Sequence, residues 1–462
     1  MYFQRRAFVL TTCAALLAGC ASYPATTDPS GQTPPIVFVH GNGDTASLWQ
    51  TTIWRFESNG WPRDRLVAVN VPYPLARDDD SKPQPGRTSA AENEAYLKAE
   101  VERTLKATGA TKVILVANFR GGNAVRSYID GGGMQYVSHA ILGGTPNHGV
   151  WAIKGFREAN EFAGTGPYLT ALNAPKNTAG DEVVGPVKWL TIRSDSNDKY
   201  AQADGVWFGS KGLATNVSAK GPELQGATNV VIAGIDHRET AYSAPAFAAA
   251  YRFVTGKAPA VDIVPEATIR LSGMVTGQGL DSTDPKSGTF SNNLALPGAR
   301  LTLYATNRAT GERVGAEVYD TTVGADGRWG PFAAQPGVAY EFVIAAAGYA
   351  TTHIYRSPFP RSSNIVHVRG ERIADADKGA GAIVTLARPR GYFDVRRDRL
   401  TFDGQALPGV VASDFGAGVA SSKLLLKEDS QRAIAGEFNG ERIVGHTWPA
   451  AQGHATFLEL MN

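Results

Sequence analysis

Residues 113–122, Val-Ile-Leu-Val-Ala-Asn-Phe-Arg-Gly-Gly, constrain the fold of this chain more than any other stretch. The continuous apolar run suits a strand buried on both faces, as in a parallel sheet covered by helices. The run meets a sharp turn of small residues, with Ala117 and Gly121 on either side of Phe119. Helical spacing follows from Gly122 to Ile129. A buried strand feeding a helix through so tight a turn belongs to an α/β architecture.

The same alternation extends from Ile36 to about Gly256. Ile36 to Val39 is a second short apolar run, followed by the glycine-rich loop His40-Gly41-Asn42-Gly43-Asp44. Trp49, Ile53 and Phe56 recur at helical spacing before a stop at Asn59-Gly60. Leu66 to Val71, His139 to Leu142, Trp189 to Ile192 and Val230 to Ala233 read as strands. Ser89 and Glu92 form a capping box ahead of a helix reaching about Lys106, and Ala244 to Val254 is a closing helix. The expectation is a doubly wound, mostly parallel sheet.

Composition shifts at Thr255 to Pro259. Beyond it, Ile269, Leu271, Leu301, Leu303, Phe342 and Ile344 sit in period-two runs separated by turn signals. A β-sandwich-like or barrel-like accessory domain is expected over 261–372. A second β-rich module is expected over 383–462, with turns at Asp403-Gly404 and Asn439-Gly440. Whether the two β pieces pack as one unit stays open at this level.

The first residues read as a targeting segment. Arg5-Arg6 precedes an apolar run from Ala7 to Ala18 that is too short for a comfortable bilayer span. Leu17-Ala18-Gly19-Cys20 looks like the lipobox of bacterial lipoproteins, which implies a signal over 1–20 and acylation of Cys20. The paired arginines also resemble a twin-arginine export signal, and a plain basic segment explains them too. Ala21 to Pro35 is a Ser/Thr/Pro/Gly-rich tether. The only other cysteine, Cys13, lies inside the signal, so the processed chain has no disulfide. The expected location is the bacterial cell envelope, periplasm-facing or outer membrane, or outside the cell. A formal net charge of +2 over 462 residues, with no basic stripe, excludes an electrostatic case for nucleic acid.

The segment 36–256 resembles bacterial secreted lipases and esterases of the α/β-hydrolase superfamily. The resemblance rests on His40-Gly41-Asn42-Gly43, on the turn at 117–121, on Gly144-Thr145-Pro146-Asn147-His148-Gly149, on Gly164 to Asn173 and on Asp236-His237. It implies carboxylic-ester hydrolysis through an acyl-serine, on apolar ester, lipid or polyester substrates, with no cofactor and no metal. The turn has the small-x-Ser-x-Gly layout of the nucleophile elbow, but Phe119 stands where the serine should be. A phenyl ring cannot attack a carbonyl. The resemblance further implies His237 as general base and an acid on the loop after Ile192, with Asp198 chosen and Asp195 its rival. The oxyanion donors would be the backbone N–H groups of Asn42 and Arg120, with His40 a structural member of its turn. Ser127, Thr145 and Ser194 are the remaining hydroxyls to weigh as stand-ins, and 150–185 is the expected lid or cap. His148, His353, His367 and the run Asp78-Asp79-Asp80 read as ordinary loop or β-region residues. Two functions are therefore expected in competition: an ester hydrolase inactive as written, a pseudoenzyme, or a non-catalytic lipid- or polyester-binding surface lipoprotein.

Overall fold

The computed structural model describes residues 33–195, 197–205, 210–278, 292–412 and 418–461. The leader over 1–20, Cys20 and most of the tether lie outside the described residues. No helix among the described residues is long and apolar enough to cross a membrane.

The first half is a six-stranded parallel sheet. Its strands are β1 (Ile36–Val39), β2 (Leu66–Ala68), β3 (Val113–Asn118), β4 (Val137–Gly143), β5 (Lys188–Arg193) and β6 (Thr228–Val231), in the order β2-β1-β3-β4-β5-β6. Successive side chains of a strand point to opposite faces. Ile36, Phe38, Ile114 and Val116 accordingly pack on one face against α1 (Gln50–Ser58) and the closing helix (Ala244–Thr255). Val37, Val39, Val113 and Leu115 pack on the other face against α2 (Ala90–Thr108) and α3 (Arg120–Asp130). Burial on both faces is why these strands read as unbroken apolar runs.

Boundaries differ from expectation where polar residues pair. β6 starts at Thr228, two residues before the apolar run, because Thr228 and Asn229 pair with Leu190 and Thr191. β2 ends at Ala68; beyond it the Val71 N–H donates to His40 Nε2 (3.1 Å) rather than to a strand. α3 starts at Arg120 because the turn closes in a single residue. α2 carries the expected capping box at Ser89 and Glu92.

The second half is β-rich. It comprises β7 (Ile269–Gly277), β8 (Arg300–Thr306), β9 (Tyr319–Thr322), β10 (Arg328–Ala334), β11 (Ala339–Ala345), β12 (Thr351–Arg356), β13 (Val368–Gly370), β14 (Ala382–Ala387), β15 (Leu400–Phe402), β16 (Ser421–Leu426), β17 (Ala433–Phe438), β18 (Glu441–His446) and β19 (His454–Glu459). One seven-stranded sheet runs β16-β14-β19-β12-β11-β8-β9, so strands from both β pieces share it. Three-stranded sheets β10-β7-β13 and β15-β17-β18 flank it. The β17–β18 hairpin turns on Asn439-Gly440, both at positive φ, as a two-residue turn of matching twist requires.

The two halves share core. Trp54 of α1 is buried among β-region residues such as Ile269 and Phe359, and its Nε1 donates to Ser362 O (2.8 Å). Ile365 reaches back into the core beneath the parallel sheet.

Candidate active site

β3 ends at Asn118 and α3 begins at Arg120, so Phe119 alone reverses the chain, at φ 49° and ψ −117°. Positive φ in a bulky residue is a genuine outlier. The geometry is enforced from both sides. Phe119 N–H donates to Gly143 O and Gly122 N–H donates to Phe119 O, both at 3.0 Å. A Cβ on Gly121 would fall 2.6 Å from Val39 O, so only glycine lets α3 leave the turn this close to β1.

Around the Phe119 ring stand the groups singled out in the sequence. His237 lies edge-on with ring centroids 4.9 Å apart. Its Nδ1 lies 2.9 and 3.0 Å from the two Asp198 carboxylate oxygens. If Nδ1 carries the proton, Nε2 is the basic nitrogen of that tautomer. Both side chains are almost fully buried, and Asp198 also accepts from Tyr200 N (2.9 Å). Asp195 instead accepts from Gly234 N (3.1 Å) and Asn197 N (3.0 Å), which ties two loops together away from the imidazole. Asn118 donates to Thr240 Oγ1 (3.3 Å), whose hydroxyl donates to His237 O (2.6 Å), so the elbow strand itself holds the histidine turn.

Arg120 N–H is the first of α3 and has no intrahelical acceptor. Asn42 lines the same cavity of about 360 Å³ as Phe119 and His237. Its own side chain fixes the loop by accepting from Ala76 N (2.7 Å). His40 is buried, spans Val71 N and Gly41 O, and is held below its ordinary pKa by that burial; it sits in the turn as a structural member. None of the three hydroxyls replaces a serine at the elbow. Ser127 donates to Glu94 on α2, Ser194 donates to Ile235 O, and Thr145 lines a separate cavity beyond Tyr200. His148 bonds Glu182 (2.9 Å), Asp80 caps the start of α2 through Ala90 N (2.7 Å), and His367 accepts from Met274 N (3.1 Å). His353 is less ordinary than expected, buried between Glu341 (2.7 Å) and His454 (2.8 Å).

Three features carried no signal in the sequence. Phe119 stacks on Tyr200 (4.7 Å, 28°) and leans on Phe162 (5.0 Å) of the 150–185 segment, making an apolar cluster with Val150 and Trp151. The Arg120 side chain is buried and doubly bonded to Glu161 of that segment, at 2.8 Å each. Tyr392 of the C-terminal β region lines the cavity, and the neighbouring Arg388 bonds Asp236 (2.8 Å) and Glu239 (2.6 Å) on either side of His237.

The parallel sheet covered by helices fits the α/β-hydrolase fold, and a C-terminal β-rich region follows it. Residues 33–165 match the model of the class 2 lipases, and residues 267–373 match that of the lipase C-terminal domain. These matches support an α/β-hydrolase lipase family and, with it, an ester-hydrolase lineage for the chain. Similar solved structures include a lipase of Bacillus licheniformis in its mature form (22% identity, 51% of this chain and 100% of that one, TM-score 0.35). Its propeptide form is similar over 71% of this chain and 93% of its own (16% identity, TM-score 0.33). A carboxylesterase of Bacillus subtilis is 13% identical over 50% and 87% of the two chains (TM-score 0.27). No curated protein sequence matches the chain.

Proposed function

We propose that this chain is a lipase or esterase blocked at its nucleophile. Asp198 and His237 form the acid and base, and Asn42 and Arg120 supply the oxyanion N–H groups. The observation that carries the reading is the elbow backbone at Phe119, kept in its strained conformation beside an intact Asp198–His237 pair. With serine at 119, the hydroxyl would lose its proton to His237 Nε2 as it attacked the ester carbonyl. Asp198 would stabilise the imidazolium, and the two N–H groups the developing oxyanion. With phenylalanine there, no acyl-enzyme forms, and the ring fills the space the acyl carbon would need.

The chain is further read as an exported lipoprotein, held at a membrane through Cys20 with 21–35 as tether. Its substrates belong to the apolar esters, lipids or polyesters. The non-catalytic binding reading draws on the packing of Phe119 with Phe162 and Tyr200, which makes the ring one more apolar wall.

Hydrolysis of a p-nitrophenyl ester by the chain with Phe119 and by Phe119→Ser tests the proposal. Turnover with a burst only in the serine form is the expected result, since losing the nucleophile typically removes about 10⁶ of the rate. A folded Phe119→Ser protein without turnover would give the binding reading the field. Equal activity in both would show that 119 is not the nucleophile position.

A further inference from the structure

The cavity over Phe119 has a polar side that the proposed hydrolysis leaves unused. Arg238 and Asp44 form an ion pair there, with Arg238 Nε donating to Asp44 Oδ2 (3.1 Å) and Nη1 to Pro389 O (3.2 Å). Among the described residues Arg238 Nη2 finds no acceptor and Asp44 Oδ1 no donor. The hydroxyls of Tyr200 and Tyr392 are also without a hydrogen-bond partner among them, although Tyr392 is only 6% exposed. All four residues line this cavity beside His237. A buried donor left without a partner is costly, so each of these groups calls for one from outside the chain.

We infer that this recess binds a sugar unit, the alcohol half of the ester handled at the site. The free edges of one ion pair, Arg238 Nη2 and Asp44 Oδ1, match two neighbouring hydroxyls, one accepting from the guanidinium and the other donating to the carboxylate. The two phenols donate to further sugar oxygens. Burial pushes the Tyr200 phenol up to about 12 and holds that of Tyr392 well above its ordinary value, so both keep their protons at neutral pH. A hexose ester keeps more free hydroxyls than a monoacylglycerol, which suits a recess with four unmatched groups. Lys199 and Arg238 face Asp44, Asp198 and Asp236, so no surplus of positive charge awaits an anionic headgroup. The acyl half has its own apolar surface in the cluster of Phe119 with Val150, Trp151 and Phe162. That the sugar is the alcohol half rests on the proposed hydrolase reading; its binding does not.

Saturation-transfer NMR on the full chain with Phe119 tests the site, with methyl β-glucoside as probe and glycerol and cyclohexanol as comparisons. Saturable transfer to the glucoside is expected at millimolar concentration, with both comparisons about tenfold weaker. Tyr392→Phe removes one oxygen that holds nothing in the chain, so the fold stays and the affinity for the glucoside should fall about fivefold. No saturable transfer, an affinity matched by glycerol or cyclohexanol, or one unchanged in Tyr392→Phe would overturn the assignment and leave water as the partner of these groups. In the Phe119→Ser background, an acetylated methyl glucoside should then be cleaved in preference to ethyl acetate. Glucoside binding without cleavage of any ester would keep the sugar site and count against the hydrolase reading alone.

Discussion

At position 119 the backbone pays for a geometry that its side chain does not use. A non-glycine residue in such a region costs about 1–3 kcal/mol, and the phenyl ring recovers part of that by packing with Phe162 and Tyr200. Phe119→Ser should therefore lose about 2–4 kcal/mol in urea unfolding, as large-to-small changes in partly open clusters do, while gaining ester turnover. In that background Asp198→Asn is expected to lower kcat by about 10⁴-fold, and Asp195→Asn to leave it within a few-fold. The reverse ranking would move the acid to Asp195. The preference for Asp198 was legible in the sequence because it stands further beyond the strand end. What turns Asp195 away from His237 was not: its carboxylate accepts from Gly234 N and Asn197 N, contacts made only once the loops meet.

Among the elements, those fixed by local rules could be read and those fixed by distant partners could not. The Ser89 capping box, the Asn439-Gly440 hairpin and the apolar strands each carry their instructions within a few residues. The 150–185 segment does not. It is fastened to α3 by Arg120–Glu161 and by Arg126, whose guanidinium reaches Asn147, Leu172, Asn173 and Glu182. Burial drives Glu161 up, and Arg120 is what opposes it. Arg120→Ala should thus cost about 3–5 kcal/mol, the price of one uncompensated buried charge. Adding Glu161→Gln should recover part of the loss. If the double variant is no better than the single one, the ion pair is not what anchors the segment.

On the scale of the whole molecule, the parallel sheet and the β-rich region are one piece of engineering. Trp54 sits in the β-region core, Asn293 donates to Val71 O (2.8 Å) and Asp44 O (2.9 Å), and Arg388 grips the turn carrying His237. A protein ending at Gly256 would expose Trp54 and leave Asp236 without Arg388. It is expected to aggregate or to melt well below the full chain, and a soluble fragment with the full chain's melting temperature would refute this. The buried histidines contribute one part of the pH response. Burial holds His40, His353 and His454 below their ordinary value, His139 at about 4 and His367 at about 3. Folded, they stay neutral where the unfolded chain takes up protons. The contribution of these rings is therefore full above about pH 6.5 and falls as pH drops below it, by up to about 1.4 kcal/mol per unit for His367 alone. A melting temperature that is flat or rising from pH 7.5 to 5 would contradict the burial of these rings.

The turn at 119 has one more consequence, written in nucleotides rather than kilocalories. Its shape is dictated by Gly121 against the carbonyl of Val39 and by bonds through Gly143 and Gly122, not by whichever side chain it presents. Phenylalanine codons become serine codons by a single change at the second base. On the proposed reading of position 119, one base change separates the blocked form of this scaffold from its serine form.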